Sequence, residues 1–215
     1  FVSKLFVANT HDTLLCFSSY GKVYWIKVYR LPRGGRNAKG RPIVNLLPLE
    51  KDERIQAVLP VKGFNDDQFI FMATETGSVK KTKLSAYSRP MKSGIKAIIL
   101  RDGDRVVNAE ITDGSKEIML FSNSGKSIRF KESDARPMGR VSQGVRGMRI
   151  DKDQKIISLV VLEEGNILVA TENGYGKQTL KDEFSIQKRG GKGVIAIQTS
   201  DRNGNLIGAK QVSTG

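Results

Sequence analysis

Four stretches of the chain align on a glycine: CFSSYGKVYWI at Gly21, MATETGSVKKT at Gly77, LFSNSGKSIRF at Gly125 and VATENGYGKQT at Gly174. Each has an apolar run, a polar turn, the glycine and a second β-prone run, which is the pattern of a β-hairpin. The glycines are 56, 48 and 49 residues apart, and a second glycine follows each one after 19, 17, 19 and 19 residues, at Gly40, Gly94, Gly144 and Gly193. Each second glycine opens a further predicted strand, IVNLL, IKAIIL, VRGMRI or VIAIQ. After another polar turn comes a last one, RIQAVLPV, RVVNAEIT, KIISLVVLE or NLIGAKQV. A supersecondary unit repeated at such a period must bury its faces against its neighbours. The spacing therefore predicts an all-β, propeller-like array of about four four-stranded blades, either closed or an incomplete ring. The repeats fall at approximately 5–62, 69–112, 117–163 and 166–213 of a single domain.

No stretch of useful length carries a helical period. The longest apolar runs, Ile98–Leu100 and Leu159–Leu162, are strand-sized, well short of the roughly 20 apolar residues of a membrane span. Phe17, Trp25, Phe71, Phe121 and Phe130 fall on predicted strands and are assigned to blade packing rather than to base stacking. A single cysteine, Cys16, in an apolar run reads as a small buried hydrophobe in a reducing compartment. One Cys and one His (His11) are too few for a zinc site built on those residues. The chain starts at Phe1 with no signal pattern, and is expected to be a piece of a longer polypeptide.

Charge is the strongest compositional signal, with 36 Lys and Arg against 22 Asp and Glu and a net charge of +14 over 215 residues. Its distribution follows the repeats. Segments 30–41, 80–96, 136–149 and 187–193 hold 18 of the 36 cations and no acid, and the rest of the chain is slightly acidic. They occupy equivalent places, so in a repeat fold they form a basic stripe along one edge. Such a stripe suits a linear polyanion: duplex DNA carries one phosphate charge per roughly 1.7 Å of axis. The candidate DNA-binding residues are Arg30, Arg33, Arg36, Lys39 and Arg41; Lys80, Lys81, Lys83, Arg89, Lys92 and Lys96; Arg136, Arg140, Arg146 and Arg149; and Lys188, Arg189 and Lys192. Only Tyr87 interleaves with them, which disfavours a single-strand stacking platform. No recognition helix is evident, so major-groove base readout is not expected. Gly-rich spacing lets backbone N–H groups approach phosphates.

Catalytic motifs fail. Gly125-Lys126-Ser127 has the tail of a P-loop, but Leu120 stands where the earlier glycine belongs. No Gly-x-Ser-x-Gly elbow occurs, and His11 has no positioned nucleophile. The paired acids Asp102/Asp104, Asp151/Asp153 and Glu163/Glu164 read as solvated turns.

The stretches LFVANTHDTLLCFSSYGKVY (5–24), GRPIVNLLPLE (40–50), GVRGMRI (144–150) and ENGYGKQT (172–179) resemble the C-terminal domain of bacterial DNA gyrase A. The resemblance runs the full length of the chain. It implies a β-pinwheel, a propeller variant whose blades exchange strands, that binds and bends duplex DNA without sequence preference around a basic perimeter. The parent enzyme would be an ATP-dependent type II topoisomerase that introduces negative supercoils. This domain would be non-catalytic and carry no cofactor, with ATP and magnesium bound elsewhere. Its expected partners are double-stranded DNA and, in the heterotetramer, the remainder of gyrase A together with gyrase B, with no membrane contact. The fragment itself is expected to be monomeric and the setting the bacterial cytoplasm, at the nucleoid. The family has six repeats where four are counted here. Its hallmark heptapeptide, Gln-Arg-Arg-Gly-Gly-Lys-Gly, precedes the first repeat. The box-like motif Gln187, Lys188, Arg189, Gly190, Gly191, Lys192, Gly193 differs by one Arg-to-Lys change and lies in the fourth, as an echo in an equivalent loop, with the usual box expected upstream of Phe1. The alternatives are the equivalent domain of topoisomerase IV and a basic propeller that docks an acidic protein.

Overall fold

The computed structural model describes residues 4–213. Each repeat contributes three antiparallel strands to a sheet of its own. In the first these are β1 (Thr13–Ser18), β2 (Lys22–Lys27) and β3 (Ile55–Val61); in the second, β4 (Phe69–Thr74), β5 (Ser78–Lys83) and β7 (Val106–Thr112). The third has β8 (Glu117–Ser122), β9 (Lys126–Lys131) and β11 (Ile156–Val161), and the fourth β12 (Asn166–Thr171), β13 (Gly176–Leu180) and β15 (Leu206–Val212). The four aligned glycines close the hairpins at positive φ, from +77° to +95°. In every case the glycine N–H donates back three residues, for example Gly77 to Thr74 at 3.1 Å.

The remaining strands leave their own repeat. β6 (Ile95–Lys96) pairs with β2, β10 (Val145–Arg146) with β5, and β14 (Val194–Ile195) with β9. Sheet orders are therefore β3-β1-β2-β6, β7-β4-β5-β10, β11-β8-β9-β14 and β15-β12-β13. The fold is the expected all-β pinwheel, with two corrections. The fourth sheet has three strands among the described residues. The stretches after the second glycines are not full strands: IKAIIL, VRGMRI and VIAIQ each supply two strand residues and then run irregularly, so Ile98–Leu100 is not a strand. IVNLL forms a 3-10 turn at Ile43–Asn45.

Alternation along the hairpin strands explains the stacking. Strands buried on both faces read as continuous apolar runs. Leu15 and Phe17 face Ile70 and Met72 in one cluster; Phe71 and Ala73 face Ile118 and Leu120 in the next; Met119 and Phe121 face Ile167 and Val169 in a third. The opposite face of the first sheet, with Leu14, Cys16, Tyr24 and Ile26, is covered by Leu47 together with Val28, Leu31, Ile43 and Leu49. This is why 43–49 folds over a sheet face instead of adding to a sheet edge. Phe17, Phe71, Phe121 and Phe130 are buried as expected, and Cys16 is buried with its thiol pushed up to about 12, first by burial. Trp25 is half-buried and donates from Nε1 to the carbonyl of Tyr87 at 2.8 Å.

Among the described residues no helix is long and apolar enough to cross a membrane. Nor is any group of three or more His, Cys, Asp or Glu side chains arranged to hold a metal ion.

Candidate nucleic-acid interface

The inner edge strands β3, β7, β11 and β15 touch one another in chain order. The opposite edge of each of the first three sheets carries the exchanged strand. The exchanged strands and the basic segments leading into them therefore run along the outer rim. Lys96 lies in β6, Arg146 in β10, and Lys192 two residues before β14.

Close approach of backbones fixes these crossings. Gly193 has φ +75°, and a Cβ there would collide with the main chain of Ser127 on β9. Only glycine tolerates both conditions. Around it, Gln187 N–H donates to Arg129 O at 2.7 Å and Gly190 N–H to Gly147 O at 2.7 Å, and Arg149 N–H donates to Gly191 O at 2.8 Å. The Arg189 guanidinium donates from Nε to Asp134 O at 2.9 Å and from Nη1 to Arg146 O at 3.0 Å. The box-like stretch is thus a clasp between the third and fourth repeats, with Lys188 and Lys192 left exposed.

Of the 18 candidate cations, 14 are exposed: Arg30, Arg33, Arg36, Lys39, Arg41, Lys83, Arg89, Lys92, Lys96, Arg136, Arg146, Arg149, Lys188 and Lys192. Arg140 and Arg189 are half-buried at equivalent places, and Arg140 donates from Nη1 to Lys96 O at 2.8 Å. Lys80 and Lys81 do not belong to the surface, which corrects the expectation from sequence. They are 1% and 5% exposed, because β5 is covered on both faces by its neighbours. Lys81 Nζ reaches Glu132 O at 3.4 Å and lies 5.0 Å from the Phe69 ring centre. Lys80 Nζ bonds the carbonyl oxygens of Ala97 and Arg140. Burial and then the nearby Arg140 charge push Lys80 down to about 7, and burial also lowers Lys81, opposed by Glu132. Tyr87 is buried edge-on against Phe17, with ring centres 5.5 Å apart, and presents no stacking surface.

Two cations were not picked out by sequence. Lys126, beside the hairpin glycine Gly125, joins Arg149 and Lys192 around a small cleft of about 50 Å³ between the third and fourth repeats, with Asp151 on its wall. Its position directly after the turn was the available signal, and only the structure pairs it opposite Ile195. Arg129 occupies the place of Lys81 one repeat later. It is buried in an ion pair with Glu117 and donates to the carbonyls of Lys181 and Phe184 at 2.9 Å.

Strand-exchanging β-sheet repeats with a basic outer rim define the class as a propeller-type pinwheel. The sequence profile described as "DNA gyrase C-terminal domain, beta-propeller" matches residues 12–62, 68–113, 116–163 and 165–213, so the chain belongs to the DNA gyrase C-terminal domain family. Its curated relatives include the gyrase A proteins of Salmonella typhimurium and of Escherichia coli, each 53% identical over 213 residues, covering 99% of this chain and 24% of the relative. The chain thus spans about a quarter of the length of these relatives. A solved structure of the C-terminal domain of DNA topoisomerase IV superposes with a TM-score of 0.87 at 30% identity, covering 95% of this chain and 64% of that one. A DNA gyrase A C-terminal domain gives 0.79 at 29% identity, covering 96% and 67%.

Proposed function

We propose that this chain binds duplex DNA along its outer rim without reading sequence, and bends it, as the wrapping domain of a DNA gyrase A protein. The observation that supports this is the set of 14 exposed cations in four acid-free segments, three of which run into the exchanged edge strands of the outer rim. Mixed-sign surfaces are the usual solution for solubility, so a single-sign stripe points to an extended polyanion. Phosphate contacts of this kind position a duplex without specifying its bases. Bending a short duplex through 40–90° costs about 1–6 kcal/mol, which contacts spaced along a curved path offset.

In the parent polypeptide the domain would present DNA to a catalytic core lying elsewhere, where ATP and magnesium would act, alongside gyrase B in the bacterial cytoplasm. The chain itself would need no cofactor and would be monomeric. The 53% identity to gyrase A favours gyrase over topoisomerase IV, although the latter's domain superposes more closely. The deciding experiment relaxes plasmid with topoisomerase I while the chain is bound, then removes the protein. A shift of linking number proportional to bound protein supports wrapping. Unshifted topology at saturation removes it, and salt-insensitive capture of one protein partner would favour a docking propeller instead.

A further inference from the structure

The junctions between the second and third repeats and between the third and fourth follow one plan. At the later one Arg189 reaches Arg146 O, and Arg149 N–H reaches Gly191 O; at the earlier one Arg140 reaches Lys96 O, and Ile99 N–H reaches Ser142 O at 2.8 Å. Counted from Gly193 and Gly144, these bonds are equivalent. One element differs. Gly190 N–H donates to Gly147 O, and the counterparts of those residues are Val141 and Ala97. Among the described backbone hydrogen bonds Val141 makes none to Ala97. Gly190 has φ +88°, whereas Val141 is not at positive φ. A β-branched residue is barred from that conformation by its Cβ, so the loop at Val141 cannot take the glycine's course.

Lys80 supplies the missing donor. Its Nζ lies 2.5 Å from Ala97 O and also bonds Arg140 O. It is 1% exposed and, among the described residues, forms no ion pair. Three residues after their turn glycines, the first and third repeats place Tyr24 and Ile128 at this position, both buried, so filling space does not require a lysine here. An ammonium has three N–H bonds and a neutral amine two, enough for both carbonyls in either state.

We propose that Lys80 is a positioning residue for DNA binding: its buried amino group bridges Ala97 O and Arg140 O, and so holds Arg140 and the basic segment around it on the rim. This rests on the DNA-binding reading, since Lys80 is too deep to touch a phosphate and acts through the loop above it.

The test compares the full chain with Lys80→Met, which keeps a buried stem and loses the donors, and Lys80→Met/Val141→Gly, which offers the loop the geometry of the next junction. Lys80→Met is expected to speed amide exchange across 139–144 roughly tenfold or more, to weaken duplex binding roughly fivefold, and to shallow the salt slope by about one, the worth of one phosphate contact. The glycine is expected to restore both readouts. In an Arg140→Ala background, Lys80→Met should weaken binding no further. Unchanged exchange overturns the proposal, as does full additivity with Arg140→Ala. If Lys80→Met alone does not fold, recovery of fold and affinity in the double variant supports the proposal, and failure to recover overturns it. If the wild-type chain shows no salt-dependent DNA binding, the DNA reading falls, whereas the exchange experiment still decides whether Lys80 holds the loop.

Discussion

The guanidinium of Arg189 donates through Nη1 to the carbonyl oxygen of Arg146 at 3.0 Å, tying the glycine-rich stretch of the fourth repeat to the exchanged strand of the third. A residue chosen from sequence as a phosphate ligand is thus also a structural clasp. Lys188 and Lys192, on either side of it, are exposed to solvent.

These three cations should therefore separate. Arg189→Ala leaves the carbonyls of Asp134 and Arg146 without a donor and is expected to cost about 1–3 kcal/mol. Lys188→Ala and Lys192→Ala should each change stability by less than about 0.5 kcal/mol. Yet the lysine pair should weaken duplex binding and straighten the bound duplex. Chemical denaturation read beside energy transfer across an end-labelled duplex distinguishes them; equal stability losses for all three would contradict the clasp.

Duplex affinity should fall steeply with salt. If each of the four basic segments neutralises about two phosphates, log K against log salt has a slope of roughly −7. Replacing Arg136 and Arg146 with Ala should reduce its magnitude by about two, equally on unrelated sequences. A titration series over buffered salt steps reads this directly, and a flat response is incompatible with the rim.

Gly193 and Gly40 hold the same sequence position in their repeats but not the same structural one. Gly193→Ala forces a side chain to positive φ and into the main chain of Ser127, costing about 1–3 kcal/mol from the backbone alone. Nothing lies within 4 Å of a Cβ on Gly40, so Gly40→Ala should be nearly neutral. Thermal unfolding of the two variants checks the contrast.

Lys80 gives stability a pH dependence of known sign. Burial and Arg140 hold it at about 7 in the fold, against an ordinary value of 10.5. Above pH 7 the unfolded chain binds a proton there that the folded chain does not, so this group's contribution to stability rises with pH, from about 7 toward 10.5. Cys16 acts oppositely above about pH 9, because burial raises its pKa from 9.0 to about 12 and the folded state then binds the extra proton. Urea midpoints between about pH 6.5 and 8.5 should climb for the wild type more than for Lys80→Met. Parallel curves would contradict a depressed Lys80.

Periodicity alone determined much of this protein. The hairpin glycines, the alternation that stacks Leu15, Phe71, Met119 and their neighbours between sheets, and the acid-free segments are properties of residue order, and a period-2 pattern with a glycine turn has few other solutions. Which sheet each strand joins was not legible. Two-residue strands such as Val145–Arg146 carry no pattern of their own, and their partner is chosen by where the glycine before them can cross another backbone. IVNLL resembles its counterparts by composition, but in the structure it covers the first sheet's outer face. Lys80 and Lys81 look in sequence like any basic pair. Only stacking on both faces of β5 buried them, and the carbonyls of Ala97 and Arg140 gave the first a partner because Val141 could not bend as Gly190 does.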